Sequence, residues 1–362
     1  MHAVALLVQS LLFALLLILI TRDFWVKLGF VDHPNRRKQH LHLATLAGGV
    51  SIFFAFLGMS YWLLPHSIAK SQQGFFWAAF LVTLLGAYDD LVSVLPSKRI
   101  VLQILIILLL IDYQSLRLPD TSFLNNILAS EPLLAIAFII VAFLIGINTF
   151  NLIDGVDGLS SGLFLIAGGF LWITSYWFDL NDNYLTMLIL IGSVGGFWLV
   201  NFRFPWRKHA QIFLGDAGST LLGFSLVYFI IQFSNGQISN IPLIYLIWFA
   251  AIPILDTLSV MIFRLAEGRS PFRAGKEHIH HCLLARGLTV MQVSCTLYLT
   301  AFFISLIGLL CMIFQVSPLL TGCGFAIFII LSVLIVARLR QNWLLPKQIL
   351  TNEIINQHVS PT

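Results

Sequence analysis

Apolar runs of membrane-spanning length, separated by short polar connections, repeat along this 362-residue chain. A helix that crosses the hydrocarbon core needs about 20 mostly apolar residues. Eleven runs follow that pattern: 3–21, 44–64, 75–88, 100–116, 132–150, 159–178, 184–202, 212–233, 241–263, 293–314 and 317–337. The third is short. No soluble domain, low-complexity stretch or clear internal repeat interrupts the series. The pattern predicts an all-α polytopic membrane protein with 10–11 transmembrane helices, and 11 fits the runs best. The first run lacks a basic leader and a small-residue cleavage site, so it reads as a span and not as a secretion signal.

Composition narrows the class. Charged residues make up 10% of the chain, against about 25% in an average soluble domain. So few charges cannot cover a water-facing surface, and 31 Phe exclude a disordered chain. The net charge of +4 is too small to point to nucleic acid as a partner. Its placement says more. Over alternate connections, 18 of the 20 Lys and Arg residues fall on one side, and only Lys70 and Arg117 on the other. The basic side is the cytoplasmic one. That puts the N-terminus outside (periplasmic) and the 341–362 tail in the cytoplasm. Residues 1–340 then form a single integral membrane domain with cytoplasmic loops 22–43, 89–99, 148–160, 203–212 and 264–292. The cysteines Cys282, Cys295, Cys311 and Cys323 form no C-x-x-C pair and read as packing residues.

The acidic residues add chemistry. Asp89 and Asp90 (GAYDDL), Asp154 and Asp157 (NTFNLIDGVDGLSSG), Asp216 (FLGDAGST) and Asp256 all map to the cytoplasmic face. Carboxylates at membrane depth are costly and usually functional. Adjacent aspartates repel one another unless a cation or a proton intervenes. With oxygen ligands nearby, the pair suits Mg²⁺, which takes carboxylates plus substrate phosphates. Asn148, Asn151, Asp154 and Asp157 are spaced by three, so on a helix they would share a face. GDAGST could cradle phosphate at a helix start, although it is no Walker motif. The 264–292 loop combines Arg269, Arg273 and Lys276 with His278, His280 and His281. Five basic residues there favour an anion over a metal. Metal, clamping cations and an acid/base group on one face describe phosphoryl transfer between a cytosolic phosphate compound and a lipid.

GAYDDL, NTFNLIDGVDGLSSG, FLGDAGST and HIHH, in this order and spacing, resemble the motifs of the polyprenyl-phosphate N-acetylhexosamine-1-phosphate transferases (glycosyltransferase family 4). The likeness is greater to the WecA-type branch, the undecaprenyl-phosphate N-acetylglucosaminyl-1-phosphate transferases, than to the MraY type. GFVDHPNRRKQH adds to it, and the match runs over about 22–290. The resemblance implies transfer of GlcNAc-1-phosphate from UDP-GlcNAc to undecaprenyl phosphate, releasing UMP, at the bacterial inner membrane. This would be the first membrane step of O-antigen or another surface polysaccharide. It implies Mg²⁺, with Mn²⁺ as a substitute, and a homodimer among membrane lipids. Asp89, Asp90, Asp154 and Asp157 would be catalytic, with Asp89 open between base and nucleophile. Asp216, Asp89, Asp90 and Asn151 would hold the metal. His278, His280, His281, Arg273 and Asn148 would bind the nucleotide sugar, and Arg99 with Lys98 the lipid phosphate. Lys276-Glu277 departs from the family pattern, which leaves UDP-FucNAc, UDP-GalNAc or a MraY-type substrate as alternative donors. A cation-coupled transporter would place its acids near the midplane. A CDP-alcohol phosphatidyltransferase would need a D-G-x-x-A-R pattern that is missing, and a scaffold gives no reason for six convergent acids.

Overall fold

The computed structural model describes residues 2–30, 45–114, 116–118, 131–178, 183–207, 209–235, 241–270, 275 and 277–358. Each of the eleven apolar runs is helical: α1 (His2–Lys27), α2 (Gly48–Leu63), α4 (Gln73–Val92), α5 (Pro96–Gln114), α6 (Pro132–Ile153), α7 (Leu159–Trp177), α8 (Asn183–Asn201), α9 (Gly215–Ser234), the pair α10 (Leu243–Ile247) and α11 (Ala251–Ala266), α13 (Val290–Ile313) and α14 (Pro318–His358). Two short helices, α3 (His66–Ser71) and α12 (Ile279–Ala285), lie in connections. Among the described residues, nine helices are long and apolar enough to cross a membrane. The other two expected spans are α2, apolar but only 16 residues long, and α5, which carries Lys98, Arg99 and Asp112. The third run, short in the sequence, becomes a 20-residue helix because Tyr88, Asp89 and Asp90 continue it.

Local chemistry explains the ends. Prolines open α5, α6 and α14, where a missing N–H costs nothing. Thr289 and Gln292 form a capping box at α13. A 3-10 turn, Trp248–Ala250, separates α10 from α11. Pro253 follows it, and a proline ring crowds the carbonyl four residues back, here that of Phe249.

Helix α9 is the centre, apolar on every side and buried along most of its length. It packs against α4 and α6, while α1 lies along α8. Phe75 stacks on Tyr228 with centroids 4.2 Å apart, and Phe229 meets the same ring edge-on. Glycines bring the backbones together where α9 begins. A Cβ at Gly49 would strike the Gly218 backbone, and one at Gly86 would lie 2.6 Å from Ala217 Cα.

Candidate active site

The ends of α4 and α6 and the starts of α5 and α9 meet, and they bring scattered polar residues together. Ser93 ends α4 in the left-handed region (φ 55°), which folds the chain back so that Val94 N–H donates to Asp89 Oδ1 (2.6 Å). One turn into α5, Arg99 Nη1 reaches Asp89 Oδ2 at 2.8 Å and lies 3.6 Å from Asp216 Oδ2. Arg99 Nη2 donates to Asn148 Oδ1 (3.2 Å) and Asn151 Oδ1 (3.4 Å) on α6. Asn151 Nδ2 donates to Asp216 Oδ1 at 2.6 Å. Thus Asp89, Asp216, Asn148 and Asn151 surround a single guanidinium.

Asp90 meets the start of α9. Its oxygens accept the backbone N–H groups of Asp216 (2.9 Å) and Ala217 (3.2 Å). It therefore caps α9 from another helix and satisfies N–H groups that a helix start leaves unpaired. Gly215 adopts φ +72°, and a side chain there would collide with Asp90 Oδ2. Three carboxylates, those of Asp89, Asp90 and Asp216, face one arginine in this partly buried cluster.

Asp154 and Asp157 do not share a helix face. Helix α6 stops at Ile153, and 154–158 form a turn ending at Gly158 (φ +80°). Glycine chemistry overrides the three-residue spacing here. Asp157 pairs with Arg203 Nε at 2.6 Å, and Asp154 is half-buried. Lys98 is exposed beside Arg99.

The histidines dock on this turn. Asp256, fully buried in α11, accepts the Ile279 N–H (2.7 Å) and lies 2.8 Å from His278 Nδ1. The His280 ring lies parallel to that of His278 and packs on Gly155, where a Cβ would overlap it. His280 is 0% exposed, and neither ring nitrogen has a hydrogen-bond partner. Burial pushes its imidazole down to about 3, so it is neutral near pH 7. His281 lies against it at 4.2 Å between centroids. Arg273 lies outside the described residues.

Two anchors carry no motif in the sequence. Asn201 Oδ1 accepts the Gly158 N–H (2.6 Å) while its Nδ2 donates to the Ile212 carbonyl (2.7 Å). It thereby ties the 154–158 turn to the segment that leads into Asp216. Tyr298 donates to the Gly158 carbonyl and accepts from Trp198 Nε1. In the sequence each is a polar residue inside an apolar run.

An apolar groove of about 210 Å³ opens between α6, α9 and the α10–α11 pair, lined by Phe138, Ile145, Thr149, Phe150, Leu226 and Ile254 among others. Helix α6 thus presents Thr149 and Phe150 to the groove and Asn148 and Asn151 to the carboxylates.

Fold and site define a multi-pass helical membrane protein whose helix ends enclose an acidic cluster beside a buried histidine turn. Residues 73–234 match the family described as Glycosyl transferase family 4. The chain is 30% identical over 311 residues to the undecaprenyl-phosphate alpha-N-acetylglucosaminyl 1-phosphate transferase of Yersinia pestis, covering 84% of this chain and 83% of that protein. The protein of the same name from Pasteurella multocida (strain Pm70) is 31% identical, over 88% of this chain and 89% of its own length. The protein of that name from Escherichia coli (strain K12) is 29% identical over 84% and 82%. The chain belongs to glycosyl transferase family 4.

Proposed function

We propose that this protein transfers GlcNAc-1-phosphate from UDP-GlcNAc to undecaprenyl phosphate, yielding undecaprenyl-pyrophosphoryl-GlcNAc and UMP. The reaction would take place at the cytoplasmic face of the bacterial inner membrane and begin the synthesis of a surface polysaccharide such as O-antigen. The observation that carries this reading is the convergence of Asp89, Asp216, Asn148 and Asn151 on Arg99. The names of relatives that match more than four-fifths of the chain support it.

The lipid acceptor would lie with its tail in the apolar groove and its phosphate toward Arg99, since α6 lines both. Arg99 supplies a fixed donor fork suited to phosphate. Asp89 stands beside that fork, placed to receive a proton from the acceptor phosphate or to be displaced from Arg99 by it. The donor would lie between the histidine turn and the 154–158 turn. There neutral His280, buried against Gly155, would back the surface on which a phosphate or sugar group lies. Asp256 holds the neighbouring His278 through Nδ1.

The acidic cluster fits a divalent cation by charge. Asp216 and Asp89, with Asn151, are the residues that would hold Mg²⁺ or Mn²⁺, and Asp90 supports them from behind by capping α9. Among the described residues no three His, Cys, Asp or Glu side chains form a ready-made cage. Mg²⁺ takes few protein ligands and completes its shell with water and substrate phosphate. When bound, the ion would neutralise the charge that develops on the transferred phosphoryl group.

The test is transfer of radiolabelled GlcNAc-1-phosphate into undecaprenyl phosphate by the purified protein with Mg²⁺. A panel of UDP-GlcNAc, UDP-GalNAc, UDP-FucNAc and UDP-MurNAc-pentapeptide decides the donor. No labelled lipid from UDP-GlcNAc, with transfer from another donor, would overturn the sugar assignment.

A further inference from the structure

Glu277 immediately precedes the histidine turn and is nearly buried, at 9% exposed. Three arginines from three parts of the fold share its carboxylate. Oε2 accepts from Arg264 Nε near the end of α11 (2.8 Å). Oε1 accepts from Arg269 in the connection that follows (2.6 Å) and from Arg340 in α14 (3.0 Å). Arg340 also pairs with Glu267 Oε1 at 2.8 Å and lies 5.1 Å from the Phe263 ring centroid. Arg264 and Arg340 are themselves buried. Burial raises the Glu277 carboxyl, but the bonds from Arg264 and Arg269 and the charge of Arg340 outweigh it and hold the group below the usual carboxylate range. On its other side the turn is fixed by Asp256, through His278 and the Ile279 N–H.

The histidines are therefore pinned on both flanks, and one pin comes from a helix 63 residues further along the chain. A buried charge network of this kind fixes geometry more than it adds stability, and removing one partner leaves the rest uncompensated. We propose that Glu277 and Arg340 are positioning residues, through which the C-terminal helix α14 holds the histidine turn against Gly155 and sets the affinity for the nucleotide sugar. This rests on the reading of the turn as the donor site.

The experiment uses the full-length protein in nanodiscs, as wild type, Arg340→Ala, Arg340→Lys, Glu277→Gln and, as control, Arg338→Ala. Arg338 is exposed on the same helix. Hydrogen–deuterium exchange of the 278–286 amides reads the clamp directly. Arg340→Ala and Glu277→Gln are expected to speed exchange there, Arg340→Lys less so, and Arg338→Ala not at all. Steady-state kinetics then read the consequence. KM for UDP-GlcNAc should rise by about 10-fold to 100-fold, the range for a displaced positioning group, while KM for polyprenyl phosphate stays put. Unchanged exchange in both Arg340→Ala and Glu277→Gln overturns the clamp. Faster exchange with an unchanged donor KM overturns its role in donor affinity. A wild type that transfers no GlcNAc-1-phosphate refutes the functional reading instead, and the exchange arm still decides the clamp.

Discussion

Asn201 offers a sharp test of the site because it contacts the two segments that position the acids and, on this geometry, touches no reacting atom. In Asn201→Ala the Gly158 N–H and the Ile212 carbonyl lose the side chain that pairs them, in a place where Asn201 is 4% exposed. A buried backbone group left unpaired costs about 1–3 kcal/mol. Two of them amount to roughly 2–6 kcal/mol if the structure does not move. The cheaper response is for the 154–158 turn to swing out and solvate both groups. That displaces Asp157 from Arg203 and Gly155 from His280. At the lower bound, about 2 kcal/mol, the native arrangement becomes roughly 30-fold less populated. The assay is kcat/KM for UDP-GlcNAc in radiolabel transfer, with Gln211→Ala, exposed on the connection that follows α8, as control. We expect a fall of at least tenfold for Asn201→Ala and none for the control. An Asn201→Ala enzyme within about twofold of wild type would refute the idea that this bridge sets the site.

Other expectations follow from the same geometry. Asp216→Asn should abolish transfer and weaken Mn²⁺ binding measured by paramagnetic resonance, since it removes the carboxylate that faces both Arg99 and Asn151. Wild-type Mn²⁺ affinity in that variant would count against the metal assignment. Gly155→Ala places a methyl group where the His280 ring sits and should raise the donor KM while sparing that of the lipid. His280 should also shape acid stability. Its pKa falls from 6.5 in the free state to about 3 in the fold, so between these values the unfolded chain binds the extra proton. Stability from this group is complete above pH 6.5 and is lost as pH falls toward 3, by up to about 1.4 kcal/mol per pH unit. Melting curves from pH 7 to pH 4 should be flatter for His280→Asn than for wild type. Parallel curves would show that the imidazole is not held neutral.

The helices were legible because lipid-length apolar runs have few other uses, and every one of the eleven became a helix. The acidic motifs were legible as residue types at helix ends. What periodicity could not supply was pairing across the chain. Asp90 and Asp216 are 126 residues apart, and only the fold reveals that one caps the helix of the other. The three-residue spacing of Asp154 and Asp157 suggested a helical face, but two glycines make it a turn, and Asp157 faces Arg203. Asp256 was visible as an acid inside a span, while its pairing with His278 was not. Glu277 stood out only as a departure from a pattern, with nothing local to indicate three arginines.

The glycine contacts at the start of α9 carry a consequence for how such a chain can diverge. Gly49 and Gly86 leave no room for even a methyl group between the backbones of α2, α4 and α9, so substitutions there would pry the acids apart. The part of the fold that carries Asp89, Asp90 and Asp216 is thus mechanically closed to gradual change. The histidine turn is braced instead by the side chains of Asp256, Arg264 and Arg340, which can change one at a time without separating whole helices.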